Sequence, residues 1–139
     1  MAQKDPYSQV PALIFDTDIL VSVQRGHPGA AQFVNLVPAD QRNLSVISYL
    51  ELLYGSRDAN DLKKAQSMVD DLFAVVVPIN EEISASAVRI LERFVLAHGI
   101  DASDAVIAAT ALERHEPLAT GNQKHFRFIP GLELKVFRP

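Results

Sequence analysis

The chain has 139 residues, 48% of them hydrophobic and 22% charged, with a formal net charge of -4 and no cysteine. That is enough chain for a real core in one compact domain and too apolar for disorder, and the missing cysteines exclude a disulfide framework and fit a reducing compartment. The acidic balance gives no overall basic footprint for nucleic acid, although a carboxylate site supplies much of that charge and a bound metal reverses it locally.

Residues 1–11, MAQKDPYSQVP, read as a polar lead-in without the apolar stretch of a signal peptide. No later apolar run is long enough to span a bilayer, so a soluble, cytoplasmic protein with no membrane partner is expected. Residues 12–15, ALIF, predict a buried strand that runs into an acidic turn at Asp16 to Asp18. Helical potential follows up to Gly26, is broken at 27–29 by His27, Pro28 and Gly29, and resumes over 30–37 until Pro38. LSVI at 44–47 reads as the second strand, with Ser48 capping a helix through Glu51 to Tyr54 and Gly55 at its end. Apolar residues at 62, 65, 68, 69 and 72 predict a helix over 58–72, and FAVVVP at 73–78 a strand. Asn80 caps a long helix to about His98, ended by Gly99, and a small-residue helix covers 102–114. PLAT at 117–120 and LELKVF at 132–137 are the last strands. Strands alternating with helices predict an α/β domain over 12–139 with a mainly parallel central sheet and helices on both faces.

In such sheets ligands sit beyond the carboxyl ends of the strands, where Asp16 and the residues after 47 and 120 fall. Asp16 follows four apolar residues, where a charge needs a partner, solvent or a metal; its plain alternative is a helix cap. Glu51 completes Ser48-x-x-Glu51, a capping-box spacing, and taken alone that structural role outweighs catalysis. Asp101 is the better capping residue of the next acidic pair. Asp104 shares a face with Ile107 and Ala108, so it points inward. Thr120, Gly121 and Asn122 bring a hydroxyl, a close backbone and an amide to the same rim, followed by Lys124, His125 and Arg127 as positive charge for phosphates. Carboxylates gathered from three such segments repel unless a proton or cation neutralises them, and all-oxygen donors suit Mg²⁺ or Mn²⁺ rather than zinc.

FDTDIL near the start, SVISYLELLYGS in the middle, and DASDAVIAATAL with LATGNQKHFRFIPGLELKVF at the end resemble, in order, the motifs of PIN-domain ribonucleases, specifically the VapC-type toxins of toxin–antitoxin pairs. The resemblance implies a PIN-like three-layer fold and hydrolysis of RNA phosphodiesters. It implies Mg²⁺ or Mn²⁺ held by Asp16, Asp104 and Glu51, with Asn122 at a fourth catalytic position where many relatives carry Asp. Because Asn122 brings no charge, one tightly held ion is expected, with a second recruited by the RNA. Asp18 falls where Asn is commoner in the family. Thr17 and Asp18 are implied as supporting groups behind the ligands, and Thr120, Lys124, His125 and Arg127 as contacts to substrate. A homodimer and a cognate antitoxin follow from the same resemblance.

Two other readings compete. A haloacid-dehalogenase-type phosphatase would use Asp16 as nucleophile and Asp18 as acid/base, but it normally wants Thr or Val where this chain has Leu20. A PIN fold lacking its fourth acid could instead bind RNA or a partner protein without cutting.

Overall fold

A computed structural model describes residues 11–138, so the expected lead-in lies, apart from Pro11, outside the described residues. The elements follow as β1 (Leu13–Phe15), α1 (Thr17–Gln24), α2 (Pro28–Asn35), β2 (Arg42–Ser45), α3 (Val46–Tyr54), α4 (Ala59–Leu72) and β3 (Val75–Val77). After them come α5 (Glu81–His98), α6 (Ala102–Arg114), β4 (Leu118–Thr120) and β5 (Leu134–Val136). The strands form one sheet in the order β3-β2-β1-β4-β5, and every adjacent pair is parallel. This is the α/β architecture that the alternation of strands and helices predicts.

Alternation along β1 divides the core, since successive strand side chains point to opposite faces. Ile14 faces α5 and α6, where it packs with Ile83, Ile90, Phe94, Ile107 and Leu118. Leu13 and Phe15 face the other way, into a cluster with Ile19, Ala30, Val34 and Phe137. A third cluster, Leu20, Leu44, Leu52, Ala65 and Val69, joins α1, α3 and α4 to β2. Helices therefore cover both faces, and three layers result.

Most element boundaries follow local chemistry. Asn80 caps α5 by accepting from the Ile83 amide at 2.8 Å, and Gly99 closes that helix at φ +64°, a conformation that glycine adopts without strain. Some boundaries differ from expectation. The turn at His27 does not delay α2 until Ala30: Pro28 occupies the first turn, where its missing N–H is harmless, and His27 Nδ1 caps the helix by accepting from Ala30. β2 begins two residues before the expected LSVI run and ends at Ser45, which caps α3 through the Ile47 amide. Ser48 is therefore no cap. It lies inside α3, fully buried, and the capping-box reading of Glu51 fails because its cap residue is already helical.

Candidate active site

The sheet reverses its direction of growth between β1 and β4, and the region beyond the carboxyl ends of these two strands is the crevice position of an open parallel sheet. Asp16 leaves β1 there as the N-cap of α1, its Oδ1 accepting from the Thr17 amide at 2.8 Å. Capping and site readings of Asp16 thus coexist. Oδ2 accepts from the Thr120 hydroxyl at 2.9 Å, and that hydroxyl in turn accepts from the Asn122 amide at 2.9 Å. Asp16 is only 5% exposed. Burial, then the negative charges of Asp18 and Asp104, push its carboxyl up to about 8 against the opposing bonds from Thr120 and Thr17.

Asp18 sits one position into α1, turned back toward β4. Its Oδ2 accepts from the Gly121 amide at 3.1 Å, and a side chain on residue 121 would bring its Cβ to 3.0 Å from that oxygen, which is why glycine fits there. Oδ1 is buried and finds no partner among the described residues. Burial is the main reason that this carboxyl also titrates above its ordinary range.

Asp101 caps α6 by accepting from the Asp104 amide at 2.7 Å, which leaves the Asp104 carboxylate free to face the crevice, as the spacing predicts. His125 Nδ1 stands 3.4 Å from Asp104 Oδ2. Burial and then Asp101 raise Asp104 to about 6; His125 opposes the shift, while Glu51 and Asp18 reinforce it. Glu51, on the exposed side of α3, accepts from the Thr17 hydroxyl at 2.9 Å, and the same hydroxyl lies 3.0 Å from Ser48 Oγ. A threonine has one hydroxyl hydrogen, so Thr17 donates to the carboxylate while Ser48 supplies the second bond.

The crevice thus gathers Asp16, Asp18, Glu51 and Asp104 into one field of mutual repulsion. Asp18, expected as a supporting group behind the ligands, adds its charge to the field that raises Asp16 and Asp104. Ser48 was missed as a site residue. Its position three residues before Glu51, on the same helix face, was the available signal. Thr120, expected as a contact to substrate, is fully buried and its hydroxyl donates to Asp16. Asn122 enters through its backbone amide, with its side chain at the exposed rim. Lys124 and Arg127 are exposed beside His125 and form no ion pair among the described residues.

Whether these residues suit a metal is a question of donor chemistry. In their present rotamers no three acidic or imidazole groups among the described residues stand close enough to hold one ion. The unpartnered buried oxygen of Asp18 and the raised carboxyls of Asp16 and Asp104 nevertheless form a hard oxygen set short of positive charge, which fits a divalent cation.

This fold and this acid-lined crevice define a PIN-type domain, and residues 13–130 match the family model described as "PIN domain". The chain belongs to the PIN-domain family, which removes the phosphatase alternative. It is 32% identical over 127 residues to Ribonuclease VapC19 of Mycobacterium tuberculosis, covering 86% of this chain and 96% of that protein. It is 31% identical to Ribonuclease VapC of Rickettsia bellii over 129 residues, 88% of this chain and 93% of the relative. Among solved structures, a toxin–antitoxin complex from Klebsiella pneumoniae superposes with a TM-score of 0.72 at 26% identity, over 87% of this chain and 94% of that one.

Proposed function

We propose that this protein is an endoribonuclease that hydrolyses RNA phosphodiesters as the toxin of a type II toxin–antitoxin pair. The carrying observation is the convergence of Asp16, Asp18, Glu51 and Asp104 on one crevice. There burial raises the carboxyls of Asp16, Asp18 and Asp104, neighbouring acids raise Asp16 and Asp104 further, and no basic side chain among the described residues is ion-paired to Asp16. Mg²⁺ or Mn²⁺ is the cofactor, held by Asp16 and Asp104 with Glu51 and Asp18 beside them. When bound, such an ion supplies charge neutralisation at the phosphate and a lowered pKa for water.

The chain's own residues prepare that chemistry. Thr120, braced by the Asn122 amide, keeps Asp16 in one rotamer, and Thr17, braced by Ser48, holds Glu51 toward the crevice. The Gly121 amide orients Asp18. His125 lies against Asp104, where in its protonated form it balances the acid's charge before substrate binds. Lys124 and Arg127 extend this edge with positive charge for the RNA backbone. The protein acts in the cytoplasm, pairs with a cognate antitoxin that covers the acidic crevice, and forms a homodimer. Exposed Leu50 and Tyr54 on α3, together with Val88, Val95 and Leu96 on α5, supply apolar surface for such contacts.

Purified chain incubated with structured and unstructured RNA in Mg²⁺, Mn²⁺ or EDTA, beside Asp104→Asn, tests the assignment. Metal-dependent cuts that vanish in the variant are expected. A well-folded wild type that binds RNA without cutting it in any metal would favour a binding module.

A further inference from the structure

We propose that a groove between α1 and α4 is a second RNA-binding surface, which takes the phosphate backbone of the strand as it leads toward Glu51. The groove has a volume of about 430 Å³ and includes Arg25, Arg57 and Lys64 above a floor of Val21 and Leu52, with Glu51 on its wall. Its three cations come from the end of α1, the loop before α4 and the body of α4, so no basic run in the sequence announces them. Arg25 and Lys64 form no ion pair among the described residues. Asp61 binds Arg57 through Nε at 3.1 Å, which fixes the side chain by its inner nitrogen and leaves the terminal nitrogens for an anion.

Two features select the occupant. The lining sets three cations against two carboxylates, Asp61 and Glu51. Because Asp61 is held by Arg57, the unpaired Arg25 and Lys64 and the outer nitrogens of Arg57 remain for a chain of anions, with Glu51 of the acid cluster on the same wall. A single-stranded RNA satisfies both: its phosphates lie on Arg25, Arg57 and Lys64, its sugars and bases meet Val21 and Leu52, and a neighbouring phosphodiester reaches the acids. An acidic peptide would satisfy the cations alone, because it carries no phosphodiester to present to the acids. Lys124 and Arg127 flank His125, which stands 3.4 Å from Asp104, so exposed cations lie beside a second member of the cluster as well. This inference rests on the ribonuclease reading above.

Binding of a labelled, mixed-sequence single-stranded 20-mer RNA by the full chain tests it, with Asp104→Asn as the common background that prevents cleavage. Adding Arg25→Ala, Arg57→Ala and Lys64→Ala together is expected to weaken binding roughly tenfold or more at low salt. The slope of log K against log salt should fall by about 2, three single-strand phosphate contacts at roughly 0.7 each. Lys63→Ala, an exposed cation of α4 outside the groove, controls for general charge loss, and thermal melts confirm that all variants fold. Unchanged affinity and slope in the triple variant overturn the proposal, as does loss of binding to the antitoxin alone with RNA binding intact. Cleavage by the wild type with no groove dependence leaves the ribonuclease reading standing and the groove refuted. Groove-dependent RNA binding without any cleavage supports the groove and refutes the ribonuclease.

Discussion

Two ends of the same sheet treat their acids in opposite ways. At the amino end of β4, Glu116 accepts from Asn43 Nδ2 at 3.2 Å and from Arg114 Nη2 at 3.1 Å, so its charge is matched by a cation and an amide. Nearby, the buried guanidinium of Arg42 donates from Nε to the Val37 carbonyl at 2.8 Å. At the carboxyl ends of β1 and β4, Asp16 receives a neutral hydroxyl and an amide, while its charged neighbours are other acids. An acid with a cation beside it is structural. Where Asp16 has other acids as its charged neighbours and a single imidazole, His125, faces Asp104, the acids store an electrostatic cost that a bound cation relieves, and that contrast distinguishes the site from ordinary buried polarity.

The largest test of the contrast is chemical. Asp104→Asn is expected to reduce RNA cleavage by about 10²–10⁴-fold, whereas Glu116→Ala leaves the cleavage rate unchanged; initial rates on one RNA measure both. Stability should move in the opposite sense. Asp16 is raised from 3.8 to about 8, so between those values the folded chain holds a proton that the unfolded chain has released. Its favourable contribution is complete below the lower value and lost as pH rises through the upper one; Asp104, raised to about 6, adds the same sign over a narrower window. Thermal melts in EDTA should therefore show stability falling from pH 5 to pH 8.5, on the order of a few kcal/mol. Asp16→Asn should flatten that profile, and Mn²⁺ should stabilise the wild type more at the higher pH.

Glu116→Ala removes a partner of both Asn43 and Arg114, and is expected to cost about 1–3 kcal/mol in denaturant unfolding. The smallest effect belongs to Ser48→Ala. Loss of one hydroxyl behind Thr17 should lower the cleavage rate by roughly 3–10-fold, equivalent to about 0.5–1.5 kcal/mol, with KM little changed. Ser48→Thr should restore the rate.

Much of this was legible because periodicity and caps are local. Asn80, Gly99 and Asp101 act where their neighbours say they should, and Asp104 faces inward because a helix fixes which residues share a side. What stayed hidden depends on contacts between distant segments. Ser48 and Ser45 compete for the same capping role on equal sequence terms, and only the end of β2 decides for Ser45. Thr120 reads as a rim hydroxyl until Asp16, 104 residues earlier, occupies it. Asp18 joins the acid field because Gly121 reaches across from β4, and the groove cations meet only when α1 and α4 pack around α3.

Isothermal titration of Mn²⁺ into the RNA-free chain at neutral pH tests the central claim most directly, with Asp104→Asn and Glu116→Ala alongside. One tight site in the wild type, lost in Asp104→Asn and kept in Glu116→Ala, is the predicted result. A wild type that binds no Mn²⁺, or a site that survives Asp104→Asn unchanged, would contradict the view that the strand-end acids are gathered to hold a cation.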